Sequence, residues 1–483
     1  MVTKRSVLIL VSLMIGMLCE AKWRVYVDER QELSAIVWRL AGCEEYSGRI
    51  IPDYATEIEQ SFGKFKNHPV MEFIREMRDA PDSVYVVSYF SVPMSAGLLC
   101  IRDGSLSLNE KVNLPEYINK TDNRWTEENM RRYVLLLNDF YRKSSFHEFF
   151  SSHQELYDDC IRSMKKVIDK YIRPKWFEDF YGKPFPEETS VCVSPANGLN
   201  NYGMSCSDPF ISPDALDILI GVSSYPTAKT LAGMSGIIIH EISHSFSNPV
   251  FAEYDTELDA AGEKIFPQLP RMLTAAGYGA PHLIAGEFLN ELFSMMYCRD
   301  VLKENLNRSV WNCYRQGFIW AEQGIRLMDS FYANREMYPI IDDFMPQLSA
   351  FMTRVGDQIV EIKNDYNRRP FVVSIFPEPG FEVAAGLKEI VIRFSEPMET
   401  GVIAINELEG VNPIQVSAKE MRKLGVNPRK SIYWKDSRTL VYKIGVPLES
   451  GKEYGFVLKE GYTFNVHRNM PVDGDIVVRF KVK

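Results

Sequence analysis

A chain of 483 residues with 46% hydrophobic and 25% charged side chains carries enough apolar material for two or three globular domains. Its net charge of -9, with no basic stripe interleaved with aromatics, argues against a nucleic-acid partner. Eight cysteines without a C-x-x-C pair or tight spacing argue equally against a zinc ribbon and a disulfide scaffold.

In chain order, Lys4-Arg5 precede an apolar run over residues 7–18, which Cys19-Glu20-Ala21 closes. A short positive region and about a dozen apolar residues read as a secretory signal over 1–21, too short to span a bilayer. Lipid attachment at Cys19, with cell-surface anchoring, is the rival, although bulky Leu18 fits a lipoprotein signal poorly. Either route predicts export to the periplasm, the cell surface or the medium. No later stretch is long and apolar enough for a transmembrane span.

Residues 22–186 read as a helical part of the catalytic region. Apolar side chains recur at helical spacing over 32–40, 133–141 and 156–171, while Val84-Tyr85-Val86-Val87-Ser88-Tyr89-Phe90 reads as a strand. His68, His147 and His153 stand singly and are expected to be ordinary surface or core histidines. Short strands are expected over 190–193, 201–205 and 217–222, parted by Gly, Asn and Pro. Cys192 with Cys206, or Cys298 with Cys313, could bridge in an oxidising compartment; buried thiols are the alternative.

The chemistry concentrates in Gly236-Ile237-Ile238-Ile239-His240-Glu241-Ile242-Ser243-His244-Ser245-Phe246. On a helix, residues four apart share a face, so His240 and His244 can bind one Zn²⁺. Glu241, one position round, is placed to take a proton from a water that such an ion acidifies. Pro226-Thr227 and Lys229-Thr230 offer caps for this helix, and Asn248-Pro249 is expected to stop it one turn past His244. Leu231, Met234, Ile237, Ile238 and Ile242 give it a broad apolar face. The bland reading is a buried helix whose histidines are satisfied by carbonyls or carboxylates.

Catalytic zinc takes three protein ligands, and Ser247 and Val250 stand where the metzincin continuation has Gly and His. Glu287-Phe288-Leu289-Asn290-Glu291-Leu292-Phe293-Ser294 resembles the Asn-Glu helix of the gluzincins, in particular the Leu-Asn-Glu-x-Phe stretch of zinc aminopeptidases. The resemblance implies Glu291 as third ligand, with Glu287, one turn earlier on the same face, as the alternative. The His244–Glu291 gap is longer than in the best-known gluzincins, and the aminopeptidases' Gly-x-Met-Glu-Asn signature is missing, so their specificity is not implied. The resemblance also implies a small sheet beside the zinc helix whose edge strand pairs with an extended substrate; Asn201-Tyr202-Gly203-Met204 is the candidate edge.

After the zinc helix, helical pattern over 255–276 is interrupted by Pro267 and Pro270, and an acid-bearing helix is expected over 281–303. Further helices follow over 311–332 and 340–366. Tyr297, Tyr314, Tyr338 and His282 are candidate oxyanion donors. From Arg368-Arg369-Pro370 onward, runs at 372–376, 388–394, 440–444, 454–458 and 475–482 alternate between Gly- and Pro-rich turns, predicting a β-sandwich over 368–483. The wording Ile390-Val391-Ile392-Arg393-Phe394-Ser395-Glu396-Pro397-Met398 resembles bacterial Ig-like modules.

As a whole, residues 30–365 resemble an uncharacterised family of exported gut-bacterial proteins with a His-Glu-x-Ser-His-Ser-Phe helix followed by Asn-Pro. The expectation is an α+β protein: a mostly helical, zincin-like catalytic domain with its core at 187–367, then an Ig-like sandwich. The expected function is a secreted zinc metallopeptidase acting on proteins or peptides, with His240, His244 and Glu291 on the metal and Glu241 as base. The competing readings are a non-catalytic surface binding or adhesion protein, and a zinc hydrolase of non-peptide amides.

Overall fold

The computed structural model describes residues 22–78, 91–110, 112–121, 125–202, 216–400, 405–415, 419, 423, 431–461, 466 and 470–483. The expected signal at 1–21, the strand at 84–90, Gly203, Met204 and Cys206 therefore lie outside the described residues. The fold mixes helices with small sheets, and by internal contacts the chain divides into Met1–Val250 and Phe251–Lys483. Among the described residues no helix is long and apolar enough to cross a membrane.

In the first unit, strand β1 (Lys22–Tyr26) leads into the helix Glu29–Leu40, capped by Asp28, whose carboxylate accepts from the Arg30 amide at 2.8 Å. Strands β2 (Leu99–Arg102) and β3 (Ser105–Leu108) form a separate hairpin. Asp103 and Gly104 at its turn have φ of 50° and 69°, the positive pair a two-residue hairpin turn requires; this Asp-Gly signal went unread in the sequence. Strands β4 (Glu188–Ser194), β5 (Asn201–Tyr202) and β6 (Leu216–Gly221) join β1 in one sheet of order β1-β4-β6-β5. β1, β4 and β6 run parallel, and β4 is buried from Thr189 onward, as a central parallel strand covered on both faces must be. β5 is antiparallel to β6 and stands at the sheet's edge, where the sequence expected an edge strand.

A carboxylate sits in the middle of this unit. Glu32 is fully buried; Tyr54 donates to its Oε2 at 2.6 Å, Ser194 to its Oε1, and the Ala196 amide to Oε1 at 3.3 Å. Burial outweighs those donors and pushes its pKa up to about 7. The folded state therefore holds the proton where the unfolded chain, at 4.5, has released it. Stability from this group is full below the unfolded value and is lost as pH rises through the folded one. Replacing Glu32 by Gln keeps an uncharged side chain there, so wild type should lose up to about 3 kcal/mol relative to E32Q between pH 4.5 and pH 8. Denaturant midpoints at the two pH values measure it.

The second unit opens with helices Asp255–Ile265 and Pro270–Ala275, parted at Phe266–Gln268 where Pro267 removes a donor. The helix Pro281–Tyr297 follows and ends in a wider turn, Cys298–Leu302. Helices Asn307–Arg315, Ala321–Ala333, Ile341–Asp357 and Ile359–Asn367 complete the helical part.

Eight strands then form two four-stranded sheets: β7 (Val372–Phe376), β8 (Glu382–Val383), β9 (Glu389–Phe394), β10 (Asn412–Pro413), β11 (Ile432–Asp436), β12 (Thr439–Lys443), β13 (Glu453–Leu458) and β14 (Ile476–Val482). Their orders are β11-β12-β9-β7 and β10-β13-β14-β8. Along β14 buried and exposed residues alternate without a break, and Ile392, Phe394, Leu440 and Tyr442 of one sheet share a core with Phe456, Val478 and Phe480 of the other. Arg369 fastens the preceding helix to this sandwich: it lies 5.1 Å over the Tyr366 ring, pairs with Asp473 at 2.5 Å, and also pairs with Glu460. Gly461, at φ +83°, packs so close to Trp311 that a Cβ would stand 2.0 Å from the indole nitrogen.

Candidate metal centre

Thr227 caps a short helix, Ala228–Leu231, with a reciprocal Thr227–Thr230 box, so the expected cap is present but serves a separate turn. The histidine helix itself starts at Ser235 and runs to Phe251. Pro249 does not stop it where expected. A proline lacks only its own bond to the fourth residue back, and here that loss falls in the last turn, two residues before the helix ends.

His240 and His244 meet as their spacing requires. Their rings cross at 86° with centroids 4.7 Å apart, and the two Nε2 atoms approach to 3.1 Å. Two nitrogens on one tetrahedral zinc at about 2.0–2.1 Å stand about 3.3 Å apart, so the pair already has the bite of a shared ion. His244 Nδ1 donates to Asn248 Oδ1 at 3.1 Å, one turn on. That bond fixes the tautomer and leaves the Nε2 lone pair facing its neighbour. Phe246 anchors the helix beyond the histidines, stacked on Phe177 at 5.8 Å and Tyr181 at 5.0 Å.

The acid that joins them is Glu287. Ligand atoms of His240, His244 and Glu287 all lie within 4.8 Å of one another. Glu291, the expected third ligand, is not in that group. Burial, with the nearby charges of Glu304 and Glu291, raises the Cys298 pKa to about 12, and burial with the Glu291 charge holds the Cys313 pKa well above its ordinary value. Glu241 follows His240 on the same helix and is half-buried.

Close contacts within the second unit hold the helix Pro281–Tyr297. At Gly262 an added Cβ would lie 2.1 Å from the Pro281 carbonyl oxygen, so Asp255–Ile265 touches the start of the acid helix backbone to backbone. Phe251 packs on Phe293 at 6.0 Å and lies 3.6 Å from where a Gly286 Cβ would be, beside Glu287. Phe288 is locked among Phe318 and Trp320, centroids 5.6 and 5.4 Å away. Gly262→Ala should therefore displace the acid helix. We expect a loss of about 2–3 kcal/mol in thermal unfolding, together with weaker zinc binding in a chelator competition.

The remaining sequence candidates lie as follows. His68, His147 and His153 each face a carboxylate: Asp139 at 3.0 Å, Glu29 at 3.0 Å and Glu57 at 2.7 Å. Tyr338 accepts from Gln347 at 3.0 Å, Tyr314 packs edge-on against Tyr366, Tyr297 is fully buried, and His282 is exposed. Cys298 and Cys313 are thiols, as is Cys192. The residues that sequence reading missed are Asn248, which the four-residue spacing from His244 could have flagged, and Gly262, which nothing in the pattern marked.

Residues 25–351 match the family model described as "Domain of unknown function (DUF4932)", a span that contains both the histidine and the acid helices. No curated protein matches the chain, and no solved structure does.

Proposed function

The chain belongs to the DUF4932 family, whose description assigns no activity, and from its own residues we propose that it is an exported, zinc-dependent peptidase of gluzincin-like design. The observation that carries the reading is the convergence of His240, His244 and Glu287 within 4.8 Å, with Glu241 next to a ligand on the same helix. Two imidazoles and one carboxylate are the donor set of a catalytic rather than a structural zinc site.

When bound, zinc would supply Lewis-acid chemistry, polarising a carbonyl and acidifying water. His240, His244 and Glu287 would hold it, and the Asn248 contact keeps His244 in the binding tautomer. Glu241 would take the proton from the attacking water and hand it to the departing amine. The antiparallel edge position of β5 fits a peptide substrate, since strand addition at a sheet edge joins an extended chain through main-chain hydrogen bonds. The sandwich over β7–β14 fits an Ig-like accessory module.

Digestion of a peptide library by the purified chain tests this. Cleavage should disappear on chelation and return with added zinc. A surface adhesion protein would cleave nothing under either condition, and a non-peptide amidase would act only on other amides.

A further inference from the structure

The two sheets of the C-terminal sandwich end in different strands on one side, β7 and β8, and the chain crosses between them over residues 377–381. This crossing borders an open groove of about 770 Å³ lined by Phe376, Glu378, Phe381, Glu382, Val383 and Leu387. Phe376 and Phe381 are each 60% exposed, and Phe371 and Val373, on or beside β7, are 59% and 54% exposed. Elsewhere in this sandwich the large apolar residues mostly face its core, so four together at one edge need a reason.

Charge indicates what the groove takes. Glu378 and Glu382 are both exposed at its rim, and neither has an ion-pair partner among the described residues; Lys481, the register partner of Glu382 on β14, forms no ion pair with it. Among the described residues β7 pairs with β9 on one side only, and no strand lies along its other edge. A second copy of this chain is opposed by its net charge of -9 and by the two carboxylates meeting their own counterparts. We propose that this groove binds an extended, cationic polypeptide segment, with apolar side chains against Phe376 and Phe381 and lysine or arginine side chains against Glu378 and Glu382. The groove's residues are separate from the metal group, so the inference does not depend on the peptidase reading.

Fluorescence polarisation on the full chain, with a chelator present so that the probe stays intact, provides the test. One probe is a labelled heptapeptide alternating Lys with Val and Phe; the control alternates Glu with the same residues. Saturable binding of the Lys probe should exceed the Glu probe by about tenfold or more and weaken with salt. Phe376→Ser with Phe381→Ser, and separately Glu378→Gln with Glu382→Gln, should each weaken it by about tenfold while unfolding temperature is unchanged, since all four side chains are exposed. Absence of saturable binding, equal binding of both probes, or binding that neither double variant alters would overturn the proposal. So would retention on insoluble cellulose, or concentration-dependent dimerisation, that the same variants abolish in place of peptide binding.

Discussion

Glu241→Gln should reduce peptide cleavage by about 10² to 10⁴-fold, the usual worth of a general base, while leaving zinc bound. The amide keeps the size and polarity of the side chain but cannot take a proton. Because Glu241 is not among the three residues whose ligand atoms converge, its loss should not empty the site. Turnover and metal content measured on one preparation separate the two effects: a lower kcat at unchanged zinc is the expected pair. Loss of zinc in this variant would make Glu241 a ligand, and full activity would remove it from the chemistry.

Glu287→Gln and Glu291→Gln should part by a wide margin in zinc affinity. Losing a ligand of the ion should cost well over the 10–100-fold that outer-shell changes cost, whereas Glu291→Gln should change affinity by no more than about threefold. The contrast rests on Glu287, not Glu291, meeting the two imidazoles. Chelator competition with each variant reads it directly. An opposite ranking would make Glu291, not Glu287, the third ligand.

The difference between these two acids marks how far the sequence could be read. Four-residue spacing on a helix is enough to say that His240 and His244 meet, because helix geometry alone decides it, and their Nε2 atoms are 3.1 Å apart. Between the two acids the resemblance favoured Glu291, whereas Glu287 is the one that meets the imidazoles; both lie on one face, so periodicity could not separate them. Within the second unit a backbone contact at Gly262 holds the start of the acid helix, and its role shows only when the partner, Pro281, is known. The sandwich strands were legible for the same kind of local reason: alternation along β14 and the Gly-rich turns around it need no tertiary knowledge. β1 was not, because a five-residue run with Lys22 and Arg24 becomes a strand only by pairing with β4, more than 160 residues on. Pro249 misled in a different way. The rule that proline ends helices holds for the interior, and a final turn can absorb it.

The most direct measurement is anomalous diffraction at the zinc edge from crystals of the chain grown with equimolar zinc. One strong peak per chain is expected, about 2.0–2.2 Å from His240 Nε2, His244 Nε2 and a Glu287 carboxylate oxygen. No peak at the paired imidazoles, or one held by four protein ligands with no position left for water, would contradict that expectation.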